Sequence, residues 1–149
     1  MRLRPIVAVA ALSLFATTSF AQVKPEDAIQ YRKAQYTVLL WNWVPMSGMV
    51  RGRVPFDQAD FARRAALAAS VAPQLLEGFP QGSGSGAPTE AKPEIWANYS
   101  DFSAKMDAFV KESAKLAEVA KGSDETATKA QFAKTSETCK ACHDLYKAD

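Results

Sequence analysis

Histidine occurs once in this 149-residue chain and cysteine twice, and those shortages exclude a good deal. Two cysteines cannot build the disulfide framework that holds a small secreted scaffold together. A structural zinc site normally takes four Cys or His ligands, so here a carboxylate would have to complete it. Alternating runs of Val, Ile and Thr are missing as well, which shifts the expectation to an all-α fold. No apolar run reaches the roughly 20 residues that span a bilayer. Charge of one sign is also scarce, with a formal net charge of only +2. No nucleic-acid partner is therefore expected, since that needs a clustered basic excess.

What is present, 48% apolar and 23% charged residues, describes one globular domain preceded by a leader. Arg2 and Arg4 stand before an apolar stretch at residues 6–15, and Ser19-Phe20-Ala21 offers the small residues that a signal peptidase reads. The expected division is a signal peptide at 1–21 and a folded domain at 22–149, with no membrane anchor after cleavage. Losing Arg2 and Arg4 leaves the remaining basic and acidic side chains in balance.

Punctuation divides the mature chain into four helical stretches. The first opens at Pro25, where the fixed φ suits a first helical position, with Glu26 and Asp27 placed to favour the helix dipole. Ile29, Tyr36, Leu40 and Trp43 then form a stripe, and the helix is expected to reach about Val50 with a kink near Pro45. The second is capped by Asp57 and runs to about Leu76, perturbed by Pro73. A third follows Trp96 and stops at Gly122, and a fourth starts at Ser123 or Asp124 and carries Phe132 toward the C-terminus. Between the second and third, residues 78–93 are rich in Gly, Pro and Ser without any period, and read as a long surface connection or flexible linker. Four amphipathic helices, none able to bury its apolar face alone, are most simply accommodated in a four-helix bundle.

Chemistry is concentrated in Cys139-Lys140-Ala141-Cys142-His143. Two thiols one helical turn apart can each add to one vinyl group of a haem, and the next residue presents an imidazole to the iron. An exported chain fits covalent haem attachment, which takes place outside the bacterial inner membrane. A disulfide between Cys139 and Cys142, or a thioredoxin-like redox pair, leaves His143 unexplained. With one histidine in the chain, His143 is the iron ligand and bis-histidine ligation is excluded. Met46, Met49 and Met106 are the methionines available for a sixth position, and core filling is their ordinary use.

These residues, together with Lys24-Pro25-Glu26-Asp27-Ala28, Tyr31-Arg32, Pro55-Phe56-Asp57, Pro93-Glu94-Ile95-Trp96, Phe102, Phe109, Asp144 and Tyr146, resemble the cytochrome c′ family, the class II c-type cytochromes. The resemblance covers the whole mature chain, and a haem motif this close to the C-terminus is characteristic of that class. It implies an antiparallel four-helix bundle, usually a homodimer, that holds a five-coordinate high-spin haem c in the periplasm.

By the same resemblance, the residue over the open iron face falls on Tyr36, where relatives often carry leucine or methionine. Read on its own, Tyr36 is an ordinary core aromatic, and as a phenol of pKa about 10 it is expected to cover the iron rather than ligate it. Arg32, one turn earlier, is either a solvated surface arginine or, as the resemblance implies, the partner of a haem propionate, with Lys92 as a weaker second candidate. Lys147 stands where relatives often carry a basic residue beside the proximal histidine, and reads equally as a surface lysine. Phe79, Phe102, Phe109, Phe132 and Tyr146 are candidate haem walls, and each serves equally as plain core.

Two function classes follow. One is a gas-binding haem protein that takes nitric oxide or carbon monoxide and has a capacity for one-electron transfer. The other is a dedicated low-spin electron carrier serving an unidentified redox partner. A peroxidase lacks the second histidine that peroxide cleavage would want, so no enzymatic activity is expected. Val38, Val44, Met49 and Phe61 lie off the haem-facing stripe and are expected to form the homodimer face.

Overall fold

The computed structural model describes residues 23–148; the expected signal peptide lies outside the described residues. Four long helices are α1 (Pro25–Val50), α2 (Gln58–Val71), α4 (Tyr99–Val119) and α5 (Glu125–Tyr146), with a single-turn helix, α3 (Glu94–Ala97), ahead of α4. Helix α2 tightens into a 3₁₀ segment at Ala72–Gly78, where Pro73 removes a backbone donor. The caps are those the sequence announces: Asp57 accepts from the Asp60 amide and Asp124 from the Ala127 amide.

Helix α1 continues through Pro45 without interruption. A proline there deprives the Trp41 carbonyl of its helical donor, and Arg64 of α2 supplies a replacement at 3.3 Å. Arg64 is itself oriented by Asp60, one turn earlier, at 2.7 Å.

Consecutive helices pack side by side, α1 on α2, α2 on α4 and α4 on α5. The 78–93 connection meets the start of α1, through Gly86 against Pro25, and the end of α5, through a bridge between Ala91 and Lys147. It also leaves α2 and leads into α3 and α4, so all four helices present the ends required of an antiparallel bundle at this one pole. The core is continuous along the bundle, from Met46, Phe61 and Leu116 to Leu75, Ile95 and Phe102.

The connection is not the surface linker its composition suggests. Phe79 and Ser83 are buried, and the Trp96 indole donates to the Pro80 carbonyl at 2.9 Å. Its backbone folds around a buried cation, described below, whose donors need acceptors that an extended linker would leave in water.

Candidate functional site: a slot between the first and last helices

Helices α1 and α5 are the two neighbours that do not close on each other. Their main aromatic contact is Trp43 stacked on Phe132, ring centroids 4.6 Å apart, and toward the 78–93 pole the space between them opens into a cavity of about 790 Å³. That volume falls within the range of small-molecule and cofactor sites.

The structure brings ten of the twelve sequence candidates to this cavity: Arg32, Tyr36, Phe79, Phe102, Phe109, Cys139, Cys142, His143, Tyr146 and Lys147. Two it places elsewhere. Phe132 lies one layer behind the wall, held between Trp43 and the edge of Phe61 at 5.9 Å. Its position on α5, seven residues before Cys139, puts it two turns below the motif. Lys92 is spent on backbone pairing, its amide donating to the Tyr146 carbonyl at 3.0 Å, and its side chain is not part of the lining. Trp43 and Lys105 also line the cavity, as does Met106, one of the three methionines available for a sixth position. The spacing of Trp43, seven residues after Tyr36, was the available signal.

On the α5 side, Cys139 and Cys142 are free thiols, half-buried, and project with His143 from the last two turns of the helix. Burial, followed by the neighbouring Cys142, pushes the Cys139 thiol up to about 11, and burial also raises Cys142. Both are therefore S–H groups at neutral pH, the form that adds across a vinyl group. The His143 imidazole is held below its ordinary value, first by burial and then by Lys147, against the opposing pull of Asp144 and Glu90. A neutral imidazole is the metal-ligating form.

Beyond Arg32 and Lys33, the α1 side of the slot is Tyr36, Thr37, Leu39, Leu40 and Trp43. It offers no imidazole and no thioether. Met46 and Met49 are buried in the core away from the cavity, and Met106 reaches the wall from α4, the helix on which α5 packs. Burial drives the Tyr36 phenol well above its ordinary value, aided by the two thiols, and outweighs the opposing effect of Arg32. A ligating phenolate is disfavoured on that ground.

Arg32 is 3% exposed. Its Nη1 donates to the Gly78 carbonyl (3.1 Å), the Ser83 carbonyl (2.9 Å) and Ser83 Oγ (3.2 Å), and its Nη2 to Thr89 Oγ1 at 2.7 Å. The guanidinium also lies 5.0 Å from the centre of the Phe79 ring and 5.8 Å from that of Trp96. Every one of these partners is neutral, and among the described residues no carboxylate pairs with it. Lys33, Lys105 and Lys147 line the same cavity with Glu90 as the one acid. Glu90 is already engaged with Lys147 at 2.9 Å.

A buried cation without a counter-ion is costly, so this wall suits an occupant that brings negative charge. An apolar slot with two thiols, one imidazole and an unneutralised arginine fits a haem and its propionates.

Comparison with known proteins agrees with this donor set. A family profile described as Cytochrome C′ matches residues 27–147. Cytochrome c′ of Rubrivivax gelatinosus is 35% identical over 124 residues, 83% of this chain and 96% of that protein. The structure of cytochrome c′ from Shewanella frigidimarina superposes with a TM-score of 0.81 at 44% identity, covering 85% of this chain and 98% of the other. The nitric oxide complex of a variant of Alcaligenes xylosoxidans cytochrome c′ superposes at 0.77 with 31% identity, covering 88% and 99%. On the motif, the bundle and these likenesses together, the chain belongs to the cytochrome c′ family, whose members carry haem c bound covalently through cysteine.

Proposed function

We propose that this chain is a periplasmic haem protein with a five-coordinate, high-spin iron, which takes up nitric oxide and carbon monoxide and exchanges single electrons with a redox partner. The observation that carries the reading is the make-up of the α1 wall. Across the slot from His143 stand Tyr36, Leu39, Leu40 and Trp43, none of them a strong ligand for iron.

The haem supplies a redox-active iron with a position for a small ligand. Cys139 and Cys142 tether it as thioethers, and His143 holds the iron through its neutral imidazole. Arg32 offers its remaining N–H groups to a propionate, and the clasp of Gly78, Ser83 and Thr89 fixes the guanidinium before the charge arrives. Phe79, Phe102, Phe109 and Tyr146 keep water from the macrocycle. Phe132 supports Trp43 from behind, and Lys92 acts only through its backbone. Lys147 is steadied by Glu90 beside the proximal histidine. Tyr36 covers the open face by bulk, and an apolar cover favours neutral diatomics over hydrated anions.

Export to the periplasm rests on the leader at 1–21. No helix among the described residues is long and apolar enough to cross a membrane. Titrating the reduced holoprotein with nitric oxide under anaerobic conditions tests the gas-binding reading. The expected result is a change in the Soret band that saturates at one equivalent per chain; a spectrum unmoved by excess nitric oxide contradicts it.

A further inference from the structure

Tyr146 joins the slot to the outer surface. Its ring is buried and belongs to the cavity lining, while its hydroxyl donates outward to Asp101 of α4 at 2.6 Å. The Asp101 side chain is 54% exposed and stands 3.8 Å from Lys105, which reaches back to the lining. The other described tyrosines lack this combination. Tyr36 lines the slot, but burial and neighbouring charges govern its phenol, with no carboxylate to receive the proton. Tyr31 gives its hydroxyl to Glu77 at 2.8 Å and is not part of the lining. Tyr99 stands behind Phe102, ring centroids 6.2 Å apart, and is outside the lining too. Removing one electron from a phenol makes its O–H strongly acidic, so the loss is easy only where a base within hydrogen-bond reach takes the proton. Asp101 is within that reach, and its exposure lets the proton pass on to water. Until then the hydrogen bond and burial hold Tyr146 in its protonated form.

We propose that Tyr146, with Asp101 as its proton acceptor, is a redox-active side chain that gives one electron to hydrogen peroxide reduced in the slot. The proposal rests on the reading of the slot above, a haem with an open position. Reduced iron supplies one electron to peroxide, a step that alone would release a hydroxyl radical. Tyr146 supplies the second. The O–O bond breaks, two protons from solvent complete two waters, and the iron ends in its oxidised state. Tyr146 becomes a neutral phenoxyl radical, and its proton rests on Asp101. An oxidising equivalent held there is open to reductants in solvent and no longer free to attack the cofactor. This is a stoichiometric donation rather than peroxidase turnover. The missing second histidine does not bar it, because the first electron comes from reduced iron rather than from acid–base cleavage on oxidised iron.

The test adds one equivalent of hydrogen peroxide to the reduced holoprotein, prepared with ordinary or ring-deuterated tyrosine, and freezes it for electron paramagnetic resonance. The wild type is expected to give a radical signal that narrows on ring deuteration. Tyr146→Phe keeps the ring, and is expected to lose the signal and to bleach its Soret band faster. Asp101→Asn keeps a hydrogen-bond acceptor without the base, and is expected to lower the radical yield. A tyrosyl signal undiminished in Y146F places the radical on another tyrosine and overturns the proposal. So does a wild type whose iron is oxidised by peroxide with no tyrosyl signal, and an equal yield in D101N removes Asp101 as the proton acceptor. In these three cases the reading of the slot stands, because peroxide has reached the iron. If the wild-type iron is six-coordinate and low-spin and peroxide leaves it unchanged, that reading fails and the proposal falls with it.

Discussion

Arg32 shows how a single side chain can organise a segment far away in sequence. Its guanidinium collects four acceptors from the 78–93 connection and lies over Phe79, so an otherwise irregular stretch is folded around one charge. The approach is close enough to require glycine at position 78. A Cβ there would overlap Arg32 Cβ and come within 3.0 Å of Arg32 Cα, a clash with backbone that no rotamer relieves. Gly78→Ala is expected to cost ~2 kcal/mol in overpacking, read as a lowered urea midpoint with an unchanged denaturant slope. The spacing from Tyr36 placed Arg32 on the slot-facing side of α1 but left an inward and a solvated side chain equally open, and its burial decides for the first. Its clasp was not legible in the sequence, because main-chain carbonyls leave no mark on the amino-acid pattern.

At the scale of elements, the end of α5 is fastened on three sides. Lys92 donates to the Tyr146 carbonyl, the Ala148 amide to the Glu90 carbonyl at 2.7 Å, and Tyr146 itself to Asp101 of α4. These contacts fix the last turn, on which His143 stands. The hydrogen bond to Asp101, with burial adding to it, pushes the Tyr146 phenol up to about 12. A pKa raised in the folded state means the native protein holds the proton more tightly, so the stabilisation is full below about pH 10 and is lost between 10 and 12. The wild-type urea midpoint is therefore expected to fall faster than that of Tyr146→Phe across this interval, with the two profiles parallel between pH 7 and 9. Parallel profiles up to pH 12 would show that the hydrogen bond contributes nothing.

Most element boundaries were legible because caps and stops are local: Pro25, Asp57, Asp124 and Gly122 act within one turn of themselves. Helix α3 was missed because a single turn after Pro93 has no room for a periodic pattern. Persistence of α1 to Val50 was expected, but the Arg64 donor that meets the carbonyl freed by Pro45 was not, nor the stacking of Phe132 on Trp43 behind the wall. Both are contacts between helices that the linear pattern does not contain.

For the whole molecule, the bundle leaves one pair of helices apart and uses the gap as its site. The outer surface has a second feature. Trp41 is 77% exposed and stands on α1 between Val38 and Val44, also exposed, with Leu67 exposed on α2. Met49 and Phe61, expected from the sequence to share this face, are instead buried in the core, because α1 and α2 close on each other along that line. The homodimer expected from the sequence would therefore have to pair through Val38, Trp41 and Val44, exposed apolar side chains of the kind that mark an interface. Sedimentation at micromolar concentration is expected to give a dimer for the wild type and a monomer for Trp41→Glu, with the same visible spectrum in both. A wild-type monomer at high micromolar concentration would contradict this pairing.

The central claim is that His143 is the iron's single strong protein ligand and that the Tyr36 side of the slot leaves the other position free. The visible spectrum of the oxidised and reduced holoprotein, taken at neutral pH before any gas is added, tests it most directly. The account predicts high-spin haem in both oxidation states, with no tyrosinate charge-transfer band in the oxidised form. A six-coordinate low-spin spectrum, or a tyrosinate band that disappears in Tyr36→Phe, would contradict it.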